Sequence, residues 1–412
     1  MKSRMNIGYA TRLVCLIIAA GACGVTARLS AQTTESNLNK RFTVKPGGNL
    51  VIEADRGGIE ITTGETSEVK IEVKRKITGV SKEKAEEALA AHQVTFDQDG
   101  DRVEVHAQFQ KSFVQNLSKA AQKMQVRYEV LVPSRFNLDL RTAAGEIIAT
   151  DIEGTVKART AGGSLKFAEI KGPFDGNTSA GSINLQGATG VVTVRTAGGS
   201  ISLGRLDSET TAETSAGSIS VKLAKAKLNA VTHGGGIELG EVDGPARVET
   251  SAGSITVKTA KTELSAITHG GKIEAGDLGG AAELTTSAGS IKVTSAHGPL
   301  VAKTSGGGIE IEQAGDTVTA HTSAGSIAAG FTGKPHGDCR LTTSGGGITV
   351  HLADNVGFDL DARTSGGRVI TELPVTITVV GEHKGGALKG KVNGGGNVLE
   401  LKTTAGDILL KK

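Results

Sequence analysis

The chain has 412 residues, with 58 Gly, no Trp, two Tyr and three Cys. Its 46 Lys and Arg against 43 Asp and Glu give a formal charge of +3, too balanced to gather nucleic acid or an anionic membrane. The lack of Trp and the scarcity of Tyr also count against the aromatic platforms that sugar-cleaving β-helices usually carry.

In chain order, residues 1–31 read as a cleavable secretory signal. They combine a basic start (Lys2, Arg4, Arg12), an apolar run from Leu13 to Ala22, and Leu29-Ser30-Ala31 before Gln32. That pattern predicts export, with no transmembrane span in the mature chain. Cutting after Ala31 leaves 42 basic and 43 acidic side chains, a charge of −1. Cys23, behind Ala20-Gly21-Ala22, is an alternative lipid-attachment site, although Ala20 stands where a larger aliphatic is usual. Without Cys15 and Cys23, Cys339 remains alone and forms no internal disulfide. Its expected place is just outside the Leu341 strand, as a small apolar residue.

Residues 32–140 read as a mixed cap. Phe42–Val44, Leu50–Ile52, Ile59–Ile61 and Val69–Val73 alternate like strands, and residues 81–92 predict a helix with Ser81 as N-cap. Val94–Phe96 and Val103–Val105 flank an Asp-Gln-Asp-Gly turn, residues 111–124 read as a short helix or a loop, and a strand ending at Val132-Pro133 leads onward.

Over residues 141–373 one phrase recurs. It begins as Thr142-Ala-Ala-Gly-Glu-Ile147 and returns every 18 residues as far as Thr322-Ser-Ala-Gly-Ser-Ile327, then follows three-residue insertions at Thr343 and Thr364. Each copy carries Gly two positions before its aliphatic anchor: Gly145, Gly163, Gly181, Gly199, Gly217, Gly235, Gly253, Gly271, Gly289, Gly307, Gly325, Gly346 and Gly367. A fixed short period over most of a chain predicts an all-β parallel β-solenoid. Apolar residues at anchor positions 0, +2, +5, +9 and +11, with Thr at +13, make each repeat two short strands and two turns. The constant Gly implies either a positive φ or backbone contact between layers. The Thr column, which shares parity with the buried positions, predicts an internal ladder of hydroxyls that satisfy one another, rather than an outward array for binding ice or a polymer.

A 36-residue rhythm overlies this period. Ala180, Ala216 and Ala252 alternate with Gly198, Gly234 and Gly270, and Leu206, Val242 and Leu278 alternate with Ala188, Ala224 and Ala260. A coil of 18 residues would interlock large against small. A coil of 36 would stack Glu238 on Glu274 on Glu310, which is unfavourable. The charge argument favours 18. Beyond Pro374, residues 374–412 supply the Val398–Leu401 and Ile408–Leu410 strands, expected to close the far end.

Pro46-Gly-Gly, the phrase Gly57-Gly-Ile-Glu-Ile61, the strand ending in Val-Pro and the tandem Thr-Ser-x-Gly-x-Ile units together resemble the bacterial putative-adhesin β-solenoid family over roughly residues 40 to 410. The resemblance implies an exported, non-enzymatic solenoid of unestablished function and brings no catalytic residues. Many members carry Asp before the anchor, where this chain usually has Ser, Gly, Lys or Glu.

No catalytic or cofactor-binding constellation stands out, and the expected partner is an unidentified protein or polysaccharide of the cell envelope or surface. No metal site is expected either. Calcium would need a recurring Asp in the turns, and His233 and His269 lie two copies apart, about 10 Å in a stacked solenoid, too far to share an ion. A polysaccharide lyase or hydrolase is the alternative, which three or more carboxylates converging on one groove would mark.

Overall fold

A computed structural model describes residues 33–110, 119–377 and 386–412. The expected signal segment and Cys23 lie outside the described residues. The protein is a parallel β-solenoid with two sheets, each coil contributing one strand to each. A central coil shows the rule: Ala246–Thr250 lies in one sheet and Ile255–Ala260 in the other. Ile255 pairs with Ile237 on one side and Ile273 on the other. In the second sheet Leu264 pairs with Ala246 and Ala282. Each partner is 18 positions away, so one coil holds 18 residues and the 36-residue coil is excluded. Glu238 accordingly faces Ser220 and Thr256 rather than another carboxylate.

Burial follows the same phase. Ile237, Leu239, Val242, Ala246, Val248 and Thr250 are all buried. In the inward columns Val242 lies between Ala224 and Ala260, while Leu264 lies between Ala246 and Ala282. Within a coil, a small residue before the second turn goes with a large one after it, as Ala260 with Leu264, and the next coil reverses the order with Leu278 and Ala282. The 36-residue rhythm is therefore an interlock of large against small residues between neighbouring 18-residue coils, as close packing favours.

This geometry separates two deletions. Removing residues 215–250 joins like phases and should leave the melt almost unchanged. Removing 215–232 keeps every column in register but sets Leu206 beside Val242, and such overpacking costs about 1–3 kcal/mol. Both proteins should fold, with the shorter deletion melting lower. Collapse of that protein alone in circular dichroism would contradict the 18-residue coil.

Neither end follows chain order. At the first end Asn49–Ala54 lies between Arg102–Phe109 and Asn137–Thr142, and Gly58–Gly64 lies between Met124–Pro133 and Ile147–Ala149. Residues 49–64 thus form a solenoid coil inserted between later ones. Outside them the pairing turns antiparallel: Glu68–Thr78 on Met124–Pro133, Thr33–Thr43 on Glu68–Thr78, and His92–Asp99 on Arg102–Phe109. The last of these is the expected hairpin, with Gly100 at φ +57° in its turn. The helix spans Lys82–Ala91 and buries Ala85, Ala88 and Ala91. Ser81 holds the N-cap position but its hydroxyl makes no cap bond. A four-residue helix, Lys119–Gln122, occupies the end of the segment read as helix or loop; residues 111–118 lie outside the described set.

At the far end Val398–Thr403 and Ile408–Lys411 do not form the outermost layer. They lie between Cys339–Thr342 and Phe358–Thr364 in one sheet, and between Ile348–Leu352 and Val369–Thr371 in the other. Ala387–Val392, antiparallel to Phe358–Thr364, lies beyond them. The reason is that Thr403-Thr-Ala-Gly-Asp-Ile408 is itself a complete repeat phrase, able to fill an interior layer.

Candidate binding surface

The thirteen glycines named above stand in one column at the turn between the sheets, joined by Gly57 ahead of Gly145 and by Gly406 between Gly346 and Gly367. Only Gly57 and Gly145 have positive φ in this column, +106° and +145°. For the others close approach is the cause: a Cβ on Gly253 would lie 2.0 Å from the Gly235 carbonyl oxygen and 2.4 Å from its carbon. The Thr column is buried, as its parity requires, but its hydroxyls do not satisfy one another. Thr250 Oγ1 donates to the Gly235 carbonyl at 2.7 Å and accepts from the Gly253 N–H at 3.3 Å. The same pair of bonds recurs, for example at Thr178 and Thr322. The tight glycine turn leaves one N–H and one carbonyl per coil unpaired, and a hydroxyl can serve both.

Cys339 is the first residue of its strand rather than outside it, and is buried. Its sulfur accepts from the Val318 N–H at 3.5 Å, and burial pushes the thiol pKa up to about 11. Because the thiolate is the reactive form, Cys339 should resist thiol reagents near neutral pH in the folded protein and take up label once the protein is denatured. Rapid labelling of the folded chain would contradict the burial.

Outward positions carry ladders of charge. Lys261 reaches Glu241 at 2.5 Å and Asp243 at 2.7 Å, and Arg195 reaches Glu213 at 2.8 Å. Hydrogen bonds that Lys261 donates to Asp243 and then to Glu241 raise its pKa. Such exposed pairs contribute little stability but leave few carboxylates free for chemistry. His233 and His269 are exposed turn residues. Among the described residues no group of three or more His, Cys, Asp or Glu is placed to hold a metal ion, and no helix is long and apolar enough to cross a membrane.

Two of the larger open clefts on the described surface bear on binding. The larger, about 790 Å³, runs across six coils beside the second turn. One side is the column Glu209, Lys227, Pro245, Glu263, Ala281, Pro299; the floor is Thr211, Asn229, Arg247, Ser265, Glu283, Val301. Pro245, Ala281 and Pro299 follow the glycines that shape this turn, and their small side chains open the groove. Glu209 is held by Lys227 at 2.9 Å and Glu283 by Lys303 at 3.3 Å, so the carboxylates do not converge. The smaller cleft, about 610 Å³, lies near the cap and is lined by Glu53, Asp55, His106, Arg141 and Arg159 among others. Its charges are paired: Arg141 with Glu53 and Asp139, Arg159 with Asp175.

Behind the smaller cleft is a polar cluster that sequence reading missed. Asp55 and Arg56 occupy the first coil's exposed turn positions, and the cap folds over them. Asp55 Oδ2 accepts from the Phe109 N–H at 3.0 Å, its Oδ1 stands 3.4 Å from His92 Nε2, and Arg56 donates to the Ala121 carbonyl and lies 4.6 Å over the Phe109 ring. Burial alone would raise the Asp55 pKa, but His92, the Phe109 N–H and Arg56 outweigh it and hold it below the usual value. That carboxylate therefore helps fasten the cap above the acid range and loses its contribution as pH falls through its pKa. Arg75, nearby, donates to the carbonyls of Leu89 and His92 and to Ser36. The available signal was the charged Asp-Arg pair in a turn where most other copies carry Ala, Ser or Gly.

The fold and its surface define a two-sheet β-solenoid with a lateral groove and a polar-anchored cap. No protein-family model and no curated protein matches the chain. Among solved structures it is similar to a putative adhesin from Bacteroides fragilis at 12% identity, over 91% of this chain and 97% of that one, with a TM-score of 0.19. It is also similar to a putative cell adhesion protein from Clostridium sporogenes at 10% identity, over 91% and 99%, with a TM-score of 0.17. A third, a putative lipid binding protein from Parabacteroides distasonis, shows 11% identity over 78% and 95%, with a TM-score of 0.19.

Proposed function

We propose that this chain is an exported, non-enzymatic rod of the cell envelope or surface, and that its six-coil groove binds an extended protein or polysaccharide partner. The groove itself supports this reading: it crosses six coils, with Pro245, Ala281 and Pro299 opening one side and a floor that is polar from Thr211 to Glu283, which suits an extended ligand. Its carboxylates are held in ion pairs or spaced along the rod, which favours binding over sugar cleavage. The test is cosedimentation of the mature protein with isolated envelopes, divided into protein and polysaccharide fractions. Ser265→Trp, which fills the groove from an outward position, should abolish retention without shifting the melt. Unchanged retention would refute the groove, and release of sugar ends from the polysaccharide fraction would revive the enzyme reading.

A further inference from the structure

The coil formed by Val398–Thr403 and Ile408–Lys411 is the last in sequence but fills an interior layer, with a strand on either side in both sheets. We propose that this coil detaches as a unit, and that the slot it leaves accepts the same segment from a second copy of this chain, joining two rods at their C-terminal ends.

The empty slot would be selective. Two facing strand edges would present unpaired N–H and carbonyl groups, which strongly favour a new strand. Glu400 and Leu401 lie opposite Arg340 and Leu341 on one side and Asp361 and Ala362 on the other. Glu400 is held by Arg340 at 2.6 Å and by Lys402. At the turn Thr403 Oγ1 donates to the Gly346 carbonyl at 2.7 Å, and Thr364 Oγ1 donates to the Gly406 carbonyl at 2.8 Å. A Cβ on Gly406 would lie 2.3 Å from the Gly346 oxygen. The slot therefore requires Thr followed three positions later by Gly, in register with buried Leu399, Leu401, Ile408 and Leu410. Another copy of the chain carries that segment unchanged.

The tether suits release. Asn393, Gly394 and Gly395 have φ of +46°, +88° and +86°, a glycine-rich elbow whose backbone can turn without steric penalty. Leaving the slot breaks the coil's pairing with one layer on either side, and solenoid stability is a sum of such nearest-neighbour terms. Exchange with a second copy restores every contact, which is the low-cost route to a dimer by swapping.

The test uses two full-length preparations with different affinity tags, mixed at high concentration, warmed to just below the main melt and cooled. The expected product is a dimer carrying both tags. Excess free peptide of residues 397–412 should suppress it by mass action, while the same peptide with Gly406→Val should not. Absence of the mixed dimer, or a dimer indifferent to the peptide, overturns the proposal. Cys339 gives a second readout, because it pairs with Leu399. Labelling of Cys339, located by peptide mapping, that accompanies exchange below the melt supports detachment, and labelling of Cys339 confined to the main melt overturns it.

Discussion

Gly253→Val should cost more than about 3 kcal/mol, the range reached by backbone clash in a packed interior, whereas Ser254→Val should stay within about 0.5 kcal/mol as an ordinary surface change. The first places a Cβ 2.0 Å from the Gly235 oxygen, 2.4 Å from its carbon and 2.6 Å from the Gly236 nitrogen. All three are backbone atoms of the next coil and cannot rotate away, so layers must separate. The neighbouring position is half-buried and holds Ser, Gly or Lys in adjacent coils. Differential scanning calorimetry of the two variants is the check: equal melting temperatures would show that the layers can part cheaply and that close approach does not explain the glycine column.

Thr250→Val is the companion case because it keeps the side chain's shape and removes only its polarity. The Gly235 carbonyl loses a donor at 2.7 Å and the Gly253 N–H loses an acceptor at 3.3 Å, both in a turn where Thr250 is fully buried. Leaving two such groups unpaired should cost about 2–4 kcal/mol. Thr250→Ser keeps the hydroxyl and gives up one methyl, about 1 kcal/mol, so denaturant midpoints should fall in the order wild type, Ser, Val. If Val matched wild type, the buried hydroxyl would be a packing element only.

Much of this fold was legible because one physical requirement repeats: the 18-residue period, the inward phase from Ile237 to Thr250 and the large-small alternation at Leu206, Ala224 and Val242 all report the same stack. The Thr column was placed correctly by parity, but its partners were not, because spacing reveals which face a residue occupies and not which backbone groups a turn leaves unpaired. The end layers escaped for another reason. Gly57-Gly-Ile59 and Thr403-Thr-Ala-Gly406 carry the signal of the repeat, but counting along the chain cannot show that a coil returns to a layer already passed. Asp55, Arg56 and His92 were hidden likewise, since the cap that covers them is distant in sequence. The groove depends on which small residues line up across six coils, and Pro245, Ala281 and Pro299 become a column only once the coil size is known.

The out-of-order first coil also constrains how the protein is made. Asn49–Gly64 leaves the ribosome early, but its two neighbours, Arg102–Pro133 and Asn137–Ala149, come later. Long-range pairing of this kind is slow to form, since loop closure must precede any gain from contacts. Until those strands emerge, that apolar strand pair has no native edge to join, whereas the coils from Val156 to Leu352 can each stack on the one just finished. The first coil therefore gains its outer partners only once residue 133 has emerged and its inner ones at residue 149; ordering can then advance one turn at a time as far as Leu352, after which the last layers wait for residues 398–411.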